Sequence, residues 1–302
     1  MTINNFNKLI TATKENPPIK LAIAMPHNEH VLGSLFLAAK EQLIIPYISG
    51  NKQIIEELAK EHNIDLSLFN TTYLDDKASI DHTIDLVKNG TCNILMKGDQ
   101  STASIMSPVL KKENNLRTGG VLSHVYILEL PTYHKLLLIT DGALNIAPKL
   151  NEQIGILENA IKLSQALHIN TPKVAVLSAV EVPTPKMPST IDAEAIANNL
   201  ILKQKAIIEG PLAFDGAINK ESSLIKHMQS EVAGDIDIAL VPCIEAGNML
   251  AKSLIYLGGA KAAGIILGAK VPIILTSRSD SLETKFLSIA LASLYVYGEK
   301  NA

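Results

Sequence analysis

Arginine and aromatic residues are scarce in this chain. Only two of its 27 basic residues are arginine, Arg117 and Arg278, and lysine carries the remaining positive charge. The net charge of −3, the 4% aromatic content and the lack of tryptophan argue against the basic surfaces and stacking platforms of nucleic-acid-binding proteins. One of the two arginines, Arg278, lies in the serine-rich segment TSRSDS at 276–281, although lysine is used almost everywhere else.

Cysteine is also rare. Cys92 and Cys243 lie far apart in the sequence, which gives neither a disulfide framework nor the spacing of a zinc site. Segment 1–18 lacks the charged start and apolar stretch of a signal peptide. Segment 257–275 is long and apolar, but its two lysines and its proline argue against a membrane span. We expect a cytoplasmic protein that binds no nucleic acid and no membrane.

Short aliphatic runs recur along the chain and alternate with stretches of helical spacing. Their hydrophobicity is continuous, which predicts strands covered on both faces, and the alternation predicts an α/β fold with mostly parallel sheets. An antiparallel hairpin is predicted at 124–142, where two apolar strands flank a short turn at Pro131. The predicted strands lie in segments 20–25, 43–50, 92–98, 135–142, 173–180, 236–242 and 271–277. Apolar residues at helical spacing predict helices at 151–167 and 281–298.

Polar residues follow the strand ends, where the ligands of α/β sheets bind. After the strand at 92–98, KGDQST places Lys97, Gly98 and the hydroxyls of Ser101 and Thr102 at the start of a predicted helix. Free backbone N–H groups and the helix dipole favour an anion there. The alternative is an ordinary helix cap at Ser101 or Thr102.

Two further segments follow the strands at 236–242 and 271–277. In EAGN, Gly247 permits a close backbone approach, and Asn248 could cap the next helix or contact a ligand; a tight strand-to-helix turn is the alternative. In TSRSDS, Arg278 offers the planar fork that binds phosphate in a bidentate manner, or it pairs with a carboxylate. Asp280 could also cap the final helix.

Several familiar catalytic patterns are missing from the sequence. Neither the G-x-S-x-G nucleophile elbow nor the G-x-G-x-x-G dinucleotide fingerprint occurs. His27 and His30 lie three residues apart, but no clear third ligand follows them, so no metal site is predicted. The polar strand ends therefore remain the candidate site.

Taken together and in order, these motifs resemble the phosphate acetyl/butyryltransferase family, and its butyryltransferase branch most closely. The matching segments are KGDQST, LSHVYILELPTYHKLLLITDGALNIAP, PKVAVLSAVEVPTPKMPSTIDA, EGPLAFDGAI, VPCIEAGNMLAKSLIY and GAKVPIILTSRSDSLETK. The resemblance implies reversible transfer of a short acyl group between coenzyme A and inorganic phosphate, with coenzyme A as a substrate and no metal or prosthetic group. Family members are usually dimers or larger, so a homodimer or larger homo-oligomer is expected.

The resemblance also implies two α/β domains of the isocitrate/isopropylmalate dehydrogenase type, with the active site in the cleft between them. A length of 302 residues suits two such domains. We place the first domain at 1–142 plus 270–302, with a returning C-terminus, and the second at 143–269.

The implied reaction fits the residue types. Phosphate is already an anion at neutral pH, and a thiol has a pKa of about 8.5, so its thiolate leaves with little acid assistance. The enzyme must align two anionic substrates in a ternary complex and stabilise the tetrahedral oxyanion. Arginine, lysine, hydroxyls and helix N-termini serve that task.

By resemblance, Ser277 and Arg278 match the family's serine–arginine motif. Arg278 is expected to bind phosphate and Ser277 to hydrogen-bond the thioester or its sulfur, with Asp280 as the third candidate catalytic residue. A second anion site is expected at Lys97, Gly98, Ser101 and Thr102, and Asn248 and Lys252 are expected to line the cleft from the second domain. The remaining residues expected to bind phosphate or coenzyme A are Arg117, Ser123 and Gly247.

One position departs from the family pattern. The acetyltransferase branch carries an aspartate seven residues after the serine, proposed as the base for the thiol, and this chain has Thr284 there. Asp280 or Glu283 takes that role, or no dedicated base is used. This departure and the scarcity of arginine favour the butyryl type. An acyl-CoA-binding protein without turnover and a nicotinamide-dependent dehydrogenase of the same fold are the alternatives.

Overall fold

The structure, a computed structural model, describes residues 2–301 and the side chains of residues 2–298. The chain divides into two compact units. The first unit comprises residues 6–120 and 263–301, and the second unit comprises residues 2–5 and 121–262. Met1 and Ala302, the ends of the predicted first domain, lie outside the described residues.

The strands of the described residues follow the aliphatic runs. They are β1 (Ile19–Ala24), β2 (Ile44–Gly50), β3 (Asn70–Tyr73), β4 (Ile94–Lys97), β5 (Ser123–Glu129), β6 (Leu137–Thr140), β7 (Lys173–Leu177), β8 (Ile207–Leu212), β9 (Ile238–Leu240), β10 (Lys261–Leu267) and β11 (Ile273–Ile274). All seven strand segments predicted from the sequence overlap one of these strands.

The helices occupy most of the intervals between the strands. They are α1 (Phe6–Lys14), α2 (Glu29–Lys40), α3 (Lys52–Glu61), α4 (Asp76–Lys88), α5 (Thr102–Leu110), α6 (Leu150–Ala166), α7 (Pro188–Ala197), α8 (Leu200–Lys203), α9 (Phe214–Ile218), α10 (Lys220–Ile225), α11 (Ile244–Tyr256) and α12 (Leu282–Asn301). No helix within residues 2–301 is long and apolar enough to cross a membrane.

The sheet of the first unit has the strand order β3-β2-β1-β4-β11-β10. All its neighbouring strands pair in parallel except β11 and β10, which pair antiparallel. The aliphatic side chains of β1 and β4 are buried, as their continuous hydrophobicity predicts. Since β4 and β11 are parallel neighbours, the residues that follow them emerge at the same edge of the sheet.

The sheet of the second unit has the strand order β5-β6-β9-β7-β8. The predicted hairpin is confirmed, because β5 and β6 pair antiparallel with Tyr126 opposite Ile139. β6 also pairs in parallel with β9, and this pairing places the hairpin in the second unit. The sequence analysis assigned 121–142 to the first domain instead; its boundaries at 142/143 and 269/270 stay a prediction.

Two predicted helices and one predicted cap bear on the site. The helical spacing at 151–167 and 281–298 corresponds to α6 and α12. Ser281 Oγ accepts a hydrogen bond from Thr284 N at 3.1 Å, so Ser281 caps α12. Ser281 thus takes the cap position that the sequence left open for Asp280, and Asp280 Oδ2 accepts from Ser277 N at 2.7 Å.

Candidate functional site

The loop after β4 is held tightly against the end of β1. A Cβ atom added to Gly98 would lie 2.1 Å from Ala24 O and 2.2 Å from Met25 O. Asp99 N also donates to Met25 O at 2.8 Å. Only glycine fits this approach of two backbone segments, so Gly98 fixes the path of the chain from β4 to α5.

Lys97, the last residue of β4, carries a buried ammonium group. Its side chain is 5% exposed, and Nζ donates to Gly98 O at 3.0 Å. Burial lowers the pKa of Lys97, and the nearby Arg278 guanidinium lowers it further; Asp99 and Asp280 partly offset both effects. A buried cation with a lowered pKa beside other charges is characteristic of ligand-binding sites.

The N-terminus of α5 follows this loop. Ser101 Oγ accepts from Ser104 N at 3.1 Å, and α5 begins at Thr102. The capping alternative for Ser101 is therefore confirmed, whereas the predicted anion site stays a prediction. A cap satisfies one of the free N–H groups of the first turn, so others remain to face an anion.

Arg278 connects the loop after β11 with the loop after β4. Its Nη2 donates to Asp99 O at 2.9 Å, and its Nε lies 3.7 Å from Asp99 Oδ1. The side chain is 69% exposed, so its fork reaches solvent while it is anchored at Asp99. Ser277 Oγ lies 3.0 Å from Ser279 Oγ in the same loop. The structure thus brings Lys97 close to Arg278 and Asp280, beside Ser277, whereas the family resemblance implied a second, separate anion site around Lys97.

A second buried lysine, Lys285, escaped the sequence analysis. Its side chain is 1% exposed, and Nζ donates to Ser277 O at 3.1 Å and to Asp280 O at 2.6 Å. Burial lowers the pKa of Lys285; Asp280 opposes this shift, and Lys97 adds to it. A usable signal existed, since Lys285 lies four residues before Ile289 and thus on the buried face of α12.

The charged side chains near the ends of β4 and β11 carry a net positive charge. Three cations, Lys97, Arg278 and Lys285, meet two carboxylates, Asp99 and Asp280, and the neighbouring charges act on the pKa of each lysine. With all five groups charged, the sum is one positive charge. Such an arrangement attracts an anion without the help of a metal.

Gln100 is a further residue that the sequence analysis missed. It is 6% exposed, and neither polar atom of its amide has a hydrogen-bond partner among the described residues. A buried unpartnered amide is costly, and such groups are concentrated where function requires them. The position of Gln100 in KGDQST does not reveal its burial. The residues packed around its amide would have to be known to identify it.

The second unit holds four other predicted site residues. Helix α11 begins at Ile244, so Asn248 lies within it and the prediction of a cap is wrong; Asn248 Nδ2 donates to Gly142 O at 3.1 Å. A Cβ on Gly247 would lie 2.8 Å from Gly142 Cα, which confirms the predicted close backbone approach. Lys252 Nζ lies 5.7 Å from the centre of the Tyr256 ring.

Ser123 and Arg117 occupy different environments. Ser123, also in the second unit, is fully buried, and its Oγ accepts from Asn159 Nδ2 at 2.9 Å. Arg117, in the first unit, is exposed and forms an isolated antiparallel bridge with Ala269. The predicted contacts of both residues with substrate stay predictions.

The two histidines considered for a metal have other partners. His27 Nε2 accepts from Asn51 N at 3.0 Å, and burial lowers its pKa. His30 lies 3.4 Å from Glu29. Among the described residues, no group of three or more His, Cys, Asp or Glu is placed to hold a metal ion.

Comparison with known proteins gives consistent matches over the chain. The family model described as "Phosphate acetyl/butaryl transferase" matches residues 55–293. A phosphate acetyltransferase of Rhizobium meliloti is 41% identical, over 97% of this chain and 93% of the relative. A phosphate butyryltransferase of Clostridium beijerinckii is 39% identical, over 96% and 97%. The crystal structure of a branched-chain phosphotransacylase from Enterococcus faecalis V583 matches with a TM-score of 0.83 and 37% identity, over 92% and 99%.

A more distant structure bears on the fold alone. A 4-hydroxythreonine-4-phosphate dehydrogenase from Burkholderia phymatum matches with a TM-score of 0.52 and 12% identity, over 91% of this chain and 99% of that chain. The dehydrogenase-like α/β fold predicted from the sequence is confirmed. Fold and strand-end charges together define an α/β enzyme for anionic substrates. The chain belongs to the phosphate acetyl/butyryltransferase family and is an acyltransferase.

Proposed function

We propose that the protein transfers a short acyl group reversibly between coenzyme A and inorganic phosphate, and that the transfer takes place at the ends of β4 and β11. The observation that carries this proposal is the positive cluster of Lys97, Arg278 and Lys285 beside a capped helix N-terminus. Phosphate and acyl phosphate are anions, and this cluster of three cations and two carboxylates carries a net positive charge.

Arg278 is the proposed phosphate-binding residue. Its anchoring contacts to Asp99 orient the guanidinium, and its exposed fork is free to form paired hydrogen bonds with phosphate oxygens. Lys97 and the first turn of α5 supply further charge and N–H donors for the same anion. This division of labour explains why an arginine stands here in a chain that otherwise uses lysine.

The proposed reaction is direct attack in a ternary complex. A phosphate oxygen attacks the thioester carbonyl carbon, the carbonyl oxygen becomes a tetrahedral oxyanion, and the C–S bond then breaks to release the coenzyme A thiolate. In this proposal, Ser277 donates a hydrogen bond from its hydroxyl to the oxyanion or the sulfur. Asp280, whose Oδ2 accepts from Ser277 N, orients this serine and is the proposed base for the thiol in reverse.

The acyl group is proposed to be butyryl, with acetyl as the alternative. Relatives named for acetyl and for butyryl transfer match at 41% and 39% identity, so overall identity favours neither name. Thr284 supports the butyryl type, because its Oγ1 accepts from Ser281 Oγ in the first turn of α12 and offers no carboxylate base. We further propose a cytoplasmic homodimer or larger homo-oligomer, as the family resemblance implies; light scattering on the purified protein tests its size.

The deciding experiment measures thiol release from acetyl-, propionyl- and butyryl-CoA with and without phosphate. We expect release that depends on phosphate, with butyryl-CoA giving the highest kcat/KM. Release from none of the three would contradict the proposed function. Tight binding of acyl-CoA without any release would favour the alternative of a binding protein.

A further inference from the structure

The buried lysine of α12 has a place in the site that the reaction scheme above does not use. Lys285 is 1% exposed, and its neighbours Phe286, Leu287 and Ile289 are also buried. An ammonium group loses its hydration in such surroundings, and the cost of that loss exceeds what two carbonyl contacts return in many proteins. An aliphatic side chain at this position would serve the packing of α12 at least as well. The lysine therefore has a reason beyond packing.

The contacts of Lys285 point to that reason. Its Nζ donates to the carbonyl oxygens of Ser277 and Asp280, which lie at the two ends of the loop that carries Arg278. Asp280 Oδ2 in turn accepts from Ser277 N, and Arg278 reaches from the middle of this loop to Asp99. One ammonium group thus joins both ends of the four-residue loop that carries the arginine.

We propose that Lys285 is a positioning residue for phosphate binding, which holds the 277–280 loop so that the Arg278 guanidinium is preorganised. Its charge also adds to the positive field of the same cluster, as its electrostatic interaction with Lys97 and Asp280 indicates. Lys285 has no exposed surface with which to touch a substrate, so it acts through the loop. This inference rests on the proposed function.

The test compares steady-state kinetics of wild type with those of Lys285→Met, which keeps the length of the side chain and removes its charge. A displacement of about 1 Å at a binding group costs up to about 100-fold, so we expect the KM for phosphate to rise by about 10- to 100-fold. The KM for acyl-CoA should rise less than that for phosphate, because Ser277 of the same loop contacts only the reacting thioester. The Tm should not fall, because the change removes a buried charge.

Two further variants separate positioning from packing. Ile289→Val lies one turn further along the same buried face and leaves a small cavity, so it should lower the Tm without changing the KM for phosphate. Lys285→Arg restores the charge and should recover part of the affinity for phosphate. If Lys285→Met does not fold, Lys285→Gln, a shorter neutral donor, replaces it with the same expected result.

The outcomes are distinct. A KM for phosphate in Lys285→Met equal to that of Ile289→Val would overturn the proposal. Equal losses for phosphate and acyl-CoA together with a lowered Tm would also overturn it, because they indicate a structural role. The proposed function itself fails only if wild type releases no thiol in the presence of phosphate, so the two failures can be told apart.

Discussion

At the scale of single residues, Arg278 provides a planar guanidinium that a lysine ammonium cannot replace. Its guanidinium is anchored at Asp99 and keeps donors for a second, planar acceptor. We expect Arg278→Lys to lower kcat/KM for phosphate by about 10- to 100-fold, since a charge-assisted hydrogen bond is worth about 1.5–3 kcal/mol. Thermal unfolding should hardly change, because the side chain is mostly exposed.

The control for this variant removes an exposed ion pair elsewhere. Lys205 Nζ lies 3.8 Å from Glu158 in the second unit, and Lys205→Met should change neither kinetics nor Tm appreciably. A full rate in Arg278→Lys, measured under the same conditions, would remove Arg278 from the phosphate site.

Lys97 gives the site a pH dependence. Its pKa is lowered, chiefly by burial and then by Arg278, so it loses its charge at a lower pH than an ordinary lysine. We expect the KM for phosphate to rise as the pH increases toward the ordinary value of about 10.4. Lys97→Met should show a high KM throughout and no alkaline rise; an identical alkaline rise in that variant would assign it to another group.

The contribution of Lys97 to folding stability changes with pH in the opposite direction to its contribution to phosphate binding. Between its lowered folded pKa and about 10.4, the unfolded chain binds more protons at this residue than the folded chain does. The contribution of Lys97 therefore favours the folded state increasingly as the pH rises through that window. A loss of phosphate affinity there is thus an effect on the site rather than on folding.

The residue types at the site could be predicted only in part. Arg278 was recognised because arginine is rare in this chain, and Lys97 because it ends a strand. Lys285 and Gln100 were missed, since a lysine in a helix is ordinarily solvated and a glutamine in a loop carries no specific signal. Their importance arises from burial, which depends on segments that are remote in the sequence.

At the scale of elements, the sequence predicts the presence of strands and helices better than the residues at which they begin and end. Continuous aliphatic runs identified β1, β2, β4 and β6, whereas β3, with the sequence NTTY, is too polar to give that signal. At the start of α12, Asp280 and Ser281 are both favourable cap residues one position apart, and Ser281 caps the helix. Asp280 Oδ2 instead accepts a hydrogen bond from Ser277 N within its own loop.

The turn from β4 to α5 depends on one glycine. A Cβ at position 98 would overlap two carbonyl oxygens of the backbone at 2.1 and 2.2 Å, and neither can move without displacing β1. We expect Gly98→Ala to destabilise the protein by about 1–3 kcal/mol and to raise the KM for phosphate, because Lys97 and Ser101 shift with the turn.

Gly120→Ala is the matched control for that change. A Cβ there has Thr118 Oγ1 at 3.7 Å as its nearest neighbour, which is ordinary contact. Its effect on unfolding should stay within about 0.5 kcal/mol. Denaturant unfolding and phosphate kinetics of the two variants check the prediction; equal stability of both would show that the β4–α5 turn has room to relax.

At the scale of the whole molecule, the fold class followed from alternating strands and helices, and the family from the order of six motifs. Domain membership was harder to predict. The hairpin of β5 and β6 ends near the predicted boundary at 142/143, and its pairing with β9 lies within the second unit. Strand pairing across about 100 residues is not encoded in local hydrophobicity.

The proposed ternary complex predicts the kinetic mechanism of the molecule. Arg278 is the proposed phosphate-binding residue, and the thioester of acyl-CoA is proposed to meet Ser277 in the same loop. If each substrate has its own set of contacts, both can bind before transfer, and initial rates against both concentrations should give intersecting lines. Parallel lines would indicate transfer by way of an acyl-enzyme.

A direct search for an acyl-enzyme complements these kinetics. Ser277 Oγ is paired with Ser279 Oγ rather than with a histidine or carboxylate that could activate it as a nucleophile. Protein incubated with radiolabelled butyryl-CoA in the absence of phosphate should therefore retain no label after denaturation. Ser277→Ala should keep a measurable rate, because phosphate itself attacks the thioester and the serine only stabilises the oxyanion or sulfur. Stoichiometric label that is lost in Ser277→Ala would replace the ternary mechanism with a covalent one.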